Sequence, residues 1–172
     1  MAAPADYRLH KFETSRVTTA GRYLGHRSYW KLYVLENIFR VLINSILTVE
    51  MGRNWWESAV NDKVRRDVDR LKKQYSKQAW RSNPGKHGIY FLSLGQLNEI
   101  IRIHAHLIRK VIPEIDTWLV HIESLKVPRN TLAHMNYPVA LDLTLIDELH
   151  EMSGELIAKL KKHKIEPIIP QT

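Results

Sequence analysis

Residues 28–51 read SYWKLYVLENIFRVLINSILTVEM and place apolar side chains at Leu32, Leu35, Phe39, Leu42, Ile46 and Val49. Steps of three and four residues trace one face of an α-helix, and Ile38 and Ile43 widen the stripe. Gly52 is suited to stop it. A helix with so broad an apolar face has to be covered by others, which makes this segment the main constraint on the fold.

The rest of the chain repeats the pattern. Trp56, Val60, Val64, Val68, Leu71, Tyr75 and Ala79 predict one helix from about Trp55 to Trp80, with Lys and Arg crowding its other face. SNPGKHG at residues 82–88 breaks the chain. IYFL at 89–92 reads as a short extended piece or as the approach to the next helix. Ser93 and Gln96 have capping-box spacing, so a helix should run from Leu94 to Val111. Pro113 suits a first helical turn, which sets the next helix at Glu114 to Lys126. Pro128 in turn suits the start of a separate short helix, ended by Tyr137-Pro138. Leu145, Ile146, Leu149, Met152, Leu156, Ile157 and Leu160 predict a last helix from Leu143 to His163. The expected architecture is all-α, an antiparallel bundle of five to six helices spanning residues 27–163. Residues 1–26 are polar and unpatterned and read as an arm. Residues 164–172 read as a loose tail.

With 172 residues the chain is long enough for one proper core. It has no cysteine, which excludes disulfides, thiol nucleophiles and cysteine metal sites. The N-terminal residues lack the apolar run of an export signal, and no run reaches about 18 uncharged apolar residues. No membrane span is therefore expected, and the setting is expected to be cytoplasmic. The formal net charge of +8 favours polyanionic partners such as RNA.

The chemistry concentrates in VPRNTLAHMNYP, residues 127–138. Asn130 and His134 are four apart and share a helix face. Arg129 is five from His134 and lies off that stripe, but its long side chain near a helix start can swing toward the imidazole. The three can then converge on one phosphate. Any R-x4-H spacing is common by chance, so the pattern gains weight only from its context.

RNTLAH resembles the R-x4–6-H motif of the HEPN superfamily, in which the Arg is commonly followed by a polar residue late in an all-helical domain. LENIFRVLIN, GRNWWES and YFLSLGQLNEII are also similar to segments of that family, and the likeness covers roughly residues 28–160. The resemblance implies a HEPN-like bundle and a metal-independent endoribonuclease without cofactors. It implies a homodimer whose paired Arg and His face one cleft, and a role as a toxin or defence effector with an antitoxin or defence-system partner. In that frame His134 is general acid or base, Arg129 holds the scissile phosphate, and Asn130 orients His134 or the phosphate. Glu36 and Arg40 would line the cleft in support. As residues alone, that pair is also a surface ion pair worth a few tenths of a kcal/mol. The family's antitoxin-modified Tyr lies two residues after the His. Position 136 is Asn here, and Tyr137 is one residue too far.

Lys63, Arg65, Arg66, Arg70, Lys72, Lys73, Lys77 and Arg81 crowd one region, of which Arg65, Arg66, Arg70, Lys72 and Lys73 are the expected RNA contacts. A plain solvated face explains such a run equally well. Trp55, Trp56 and Trp80 are either core residues or base-stacking platforms. His104 and His106 sit about 200° apart on a helix and cannot share a metal, and His121 with Glu123 is no better spaced. No metal is expected. A glycine-rich phosphate loop is missing, which excludes P-loop chemistry. Two alternatives stand beside the nuclease: a catalytically silent HEPN module for dimerisation or nucleotide binding, and a basic helical binder without enzymatic activity.

Overall fold

The apolar stripe of residues 28–51 is the centre of the fold. The computed structural model describes residues 4–78, 80 and 82–170. Among these the elements are helices α1 (Thr14–Leu24), α2 (Trp30–Met51), α3 (Trp55–Ala59), α4 (Asp62–Ser76), α5 (Leu94–Ile103), α6 (Ala105–Ile108), α7 (Ile115–Ala133) and α8 (Ala140–Lys162), with no strand. The all-α expectation holds among these residues, with more helices than the pattern predicts.

α2 buries Leu32, Leu35, Phe39, Leu42, Ile43, Ile46 and Leu47. Val49, expected on that face, is exposed, and Leu47 fills the last turn instead. α8 covers α2 with Ile146, Leu149, Leu156 and Leu160, while α7 packs on both α5 and α8. The rings of Phe39 and Trp118 meet edge to face at 6.0 Å, joining α2 to α7. Gly52 ends α2 at φ 89°, a conformation open mainly to glycine.

Several boundaries differ from the sequence reading, each for a local reason. The helix expected from Trp55 to Trp80 is broken at Val60 and Asn61. Val60 is extended, and the Asn61 side chain accepts from the Val64 N–H at 2.9 Å, starting α4 afresh. Ala79 lies outside the described residues. The helix expected over Leu94–Val111 ends at Ile103, and the ring Nε2 of His104 lies 2.9 Å from the Ala59 carbonyl, where it donates to the end of α3. The Ser93–Gln96 capping box is present. IYFL is neither strand nor α-helix but part of a 3₁₀ turn, Gly88–Phe91.

Pro128 does not open a separate helix. It lies buried inside α7, which runs unbroken to Ala133. An interior proline costs about 3 kcal/mol in an isolated helix. Burial of Ile122, Leu125, Pro128 and Leu132 along one face offsets that cost.

The described residues toward both ends are better ordered than their composition suggests. Residues 14–24, read as unpatterned, form α1, and a π-helical turn at Gly25–Tyr29 carries the backbone into α2. The combined helix Thr14–Met51 contains an 18-residue window of mean hydropathy 1.5, long and apolar enough by length and composition to cross a membrane. The expectation of no span rests on counting uncharged residues, whereas mean hydropathy admits a few charges. Half of that window is buried inside the fold, as in a core helix. The tail, expected to be loose, is strapped along α2 over its described residues. Asn44 donates to the Ile168 carbonyl at 2.9 Å, the Ile168 N–H donates to Ser45 Oγ at 2.7 Å, and Tyr90 OH donates to the Pro170 carbonyl at 2.8 Å. Asn44 also accepts from Trp55 Nε1 at 3.1 Å, so a buried amide in α2 is satisfied from both sides.

His87 sits against Trp55 and Trp56, with ring centroids at 5.5 and 5.3 Å. A Cβ at Gly88 would lie 2.2 Å from the Trp56 ring, so only glycine admits this approach. Burial, with Lys72 nearby, holds the His87 imidazole below its ordinary value of 6.5. The unfolded chain then binds a proton more readily than the folded one. Stability should be full above pH 6.5 and fall as pH drops through the lowered folded value. Urea unfolding at neutral and mildly acidic pH should show this loss in the native chain. His87→Asn, which keeps an acceptor for the Ile89 N–H, should lose that component of the pH dependence.

Candidate active site

Helices α2 and α7 bring together four of the five side chains singled out for chemistry. Glu36 and Arg40 are one turn apart on α2, and Arg129 approaches them from α7. The Glu36 carboxylate accepts from Arg129 Nε at 2.8 Å through one oxygen and from Arg40 Nη2 at 3.1 Å through the other. Glu36 and Arg40 each keep 12% of their side chains exposed and Arg129 keeps 32%. This is a half-buried three-charge network, not a surface pair. Arg40 Nη2 also reaches the Leu92 carbonyl at 3.5 Å, while its Nε is buried without a hydrogen-bond partner.

Arg129 Nη1 donates to Asn130 Oδ1 at 3.3 Å. The Asn130 side chain therefore braces the guanidinium and makes no hydrogen bond to the His134 ring. With Nε held by Glu36, the Nη2 amino group remains available. The guanidinium lines a surface groove of about 170 Å³ walled by Tyr29, Leu32, Tyr33, Glu36 and Leu132. Tyr29 and Tyr33 were not singled out by the sequence reading. Their signal was present, because Tyr29, Tyr33 and Glu36 follow i, i+4, i+7 spacing on one helix face.

His134 is the cap residue at the end of α7, and its N–H bonds to the Asn130 carbonyl at 2.9 Å. The Met135 N–H bonds to Leu132 O and the Asn136 N–H to Thr131 O, the paired bonds of a Schellman ending. Met135 takes the left-handed position at φ 58°, where glycine is usual and a side chain is strained. The His134 ring is exposed and makes no hydrogen bond to another described residue. Because α7 is continuous, Arg129 and His134 project about 140° apart. The imidazole does not line the groove that holds the guanidinium. Tyr137, three residues beyond His134, donates its hydroxyl to the Pro4 carbonyl at 2.7 Å, and burial pushes that hydroxyl's pKa up.

The expected RNA-contact residues divide between two faces of α4. Arg66, Arg70 and Lys73 are exposed on one face, flanked by Lys63 and Lys77 at three- and four-residue steps. Arg65 is turned to Asp62 in an ion pair, and Lys72 lies over the Phe91 ring at 5.8 Å. Arg81 lies outside the described residues. The tryptophans divide too: Trp55 is 1% exposed and Trp80 79%. His104 is committed to capping α3, and among the described residues no group of three or more His, Asp or Glu side chains is placed to hold a metal ion.

The chain matches no known protein family, no curated protein and no solved structure. The HEPN resemblance therefore stands on the residues already quoted.

Glu36→Gln should leave two half-buried guanidiniums without their shared counter-charge. The expected cost is about 1–3 kcal/mol, below the fully buried case because Arg129 is a third exposed. Urea denaturation measures it, and Glu36→Gln combined with Arg40→Gln should cost less than the two single changes summed.

Proposed function

We propose that the chain is a metal-independent endoribonuclease of HEPN type, a cytoplasmic toxin or defence effector working as a homodimer. The observation that carries the reading is the fixed Arg129. Glu36, itself held by Arg40, grips one edge of the guanidinium and leaves its outer amino group facing a groove one turn from His134.

The chemistry follows from the groups present. The outer N–H groups of Arg129 hold a non-bridging oxygen of the scissile phosphate and offset the charge that builds on phosphorus. A neutral His134 takes the proton from the ribose 2′-OH. The 2′-oxygen attacks phosphorus, the P–O5′ bond breaks, and the leaving 5′-oxygen takes a proton from an imidazolium. Products are a 2′,3′-cyclic phosphate and a 5′-hydroxyl. Histidine is the side chain suited to both transfers, since it can accept and return a proton in the neutral pH range.

Two observations favour a dimer within this reading. One chain's His134 ring stands apart from its own Arg129 groove. Exposed Tyr29 and Tyr33 line the groove at the start of α2, and exposed Val127 and Met135 lie on α7 and just past its end. A twofold axis through this face would bring the imidazole of one copy to the groove of the other. The isolation of His134 within one chain equally favours the second reading, a catalytically silent dimerisation or nucleotide-binding module.

Incubation of labelled RNA with the purified chain in EDTA separates the two. The nuclease should cut and leave cyclic-phosphate ends. His134→Ala should slow cutting by about 10² to 10⁴, the usual worth of a positioned acid or base. Arg129→Ala should also abolish most activity. A silent module dimerises on a sizing column and leaves the RNA intact.

A further inference from the structure

We propose that the basic face of α4, with Trp80 beyond it, forms a docking element for single-stranded nucleic acid, separate from the Arg129 groove. Lys63, Arg66, Arg70, Lys73 and Lys77 are all exposed and repeat at three, four, three and four residues. They form one seam along the helix, about 21 Å long at 1.5 Å per residue. Such a length follows roughly four phosphates of an extended strand.

This seam is not a balanced surface. Among the described residues, Arg70 alone of the five has a recorded carboxylate partner, Asp67 at 3.0 Å, and Asp69 lies beside the seam. Like charges at i and i+4 destabilise a helix. The opposite face of α4 carries the packing: Val68 is buried, Val64 is partly buried against the core, and Tyr75 meets Phe91 edge to face. The seam therefore contributes repulsion and no core contacts, which suits a polyanion that neutralises it.

The class of polyanion follows from the tryptophan. Trp80 is 79% exposed, the most exposed of the large aromatic side chains. It lies three residues past Lys77, within about 10 Å along the chain. A ring presented to solvent at the end of a cation row can stack an unpaired base, whereas duplex bases are already stacked on each other. An anionic lipid surface would instead reward apolar side chains along the whole seam, and α4 turns those inward. This inference does not depend on His134 or Arg129 being catalytic.

The test is fluorescence anisotropy with the full chain and labelled single-stranded oligo-dT and 2′-O-methyl oligo-U, which the proposed chemistry does not cut. A DNA duplex and phosphatidylserine vesicles are the comparison arms. Single strands of both sugars should bind tightest, with Trp80 fluorescence quenched on binding. Arg66→Gln and Lys73→Gln should each lower the slope of log affinity against log salt by about 0.7. Trp80→Ala should weaken single-strand binding about tenfold at unchanged slope, and Arg102→Gln on α5 should change nothing. The proposal is overturned if the seam variants bind like the native chain. It is equally overturned if the duplex binds as tightly with Trp80→Ala silent, or if only the vesicles bind. Because no cleavage is read, these outcomes stand apart from the success or failure of the nuclease assay.

Discussion

One carboxylate between two guanidiniums sets the geometry from which the functional reading proceeds. Glu36 lies on the central helix, where Leu32, Leu35 and Phe39 close by are buried. Placing a single charge there is costly unless it is paired and hydrogen-bonded. Arg40, one turn away, supplies one partner, and Arg129 supplies the other across 93 residues of sequence. The pairing does two things. It ties α7 to α2 at the level of the groove, and it removes the freedom of a long side chain by fixing it at Nε. A guanidinium held in this way loses less entropy when it meets a phosphate than one ranging free on the surface.

The same logic explains which parts of the site the sequence displayed. Arg129, Asn130 and His134 are neighbours, so their spacing could be read directly. Glu36 and Arg40 were visible as a charged pair on an apolar helix. Their link to Arg129 is tertiary, and no local spacing reports it. The roles moved accordingly: Asn130 braces Arg129, and His134 stands alone at a helix end. The basic residues of α4 were visible as a run, but the run mixes two faces. Counting at 100° per residue separates Lys63, Arg66, Arg70, Lys73 and Lys77 from Arg65 and Lys72, and the packing of Lys72 on Phe91 is the tertiary counterpart of that count.

The fold was legible to a similar depth. Apolar periodicity located the core helices because burial is what periodicity records. It failed where local chemistry competes with burial. The Trp56, Val60, Val64 spacing concealed the Asn61 cap, since a residue can satisfy an apolar stripe and still terminate a helix. At Pro128 the competition ran the other way: a helix breaker was overruled by the apolar face around it. The tail EPIIPQT carries Pro and few neighbours of its own, so composition suggests looseness. The order of its described residues comes from Asn44 and Ser45, buried polar groups on α2 that need partners.

The central claim is that Arg129 and His134 serve one phosphodiester. NMR titration of the His134 imidazole, with and without an uncuttable 2′-deoxy dinucleotide, tests it most directly. If both residues meet the same phosphate, nucleotide binding raises the His134 pKa, because the anion favours the imidazolium, and Arg129→Ala removes that rise. An imidazole whose titration is indifferent to bound nucleotide, in a chain that still binds it through Arg129, would contradict the account.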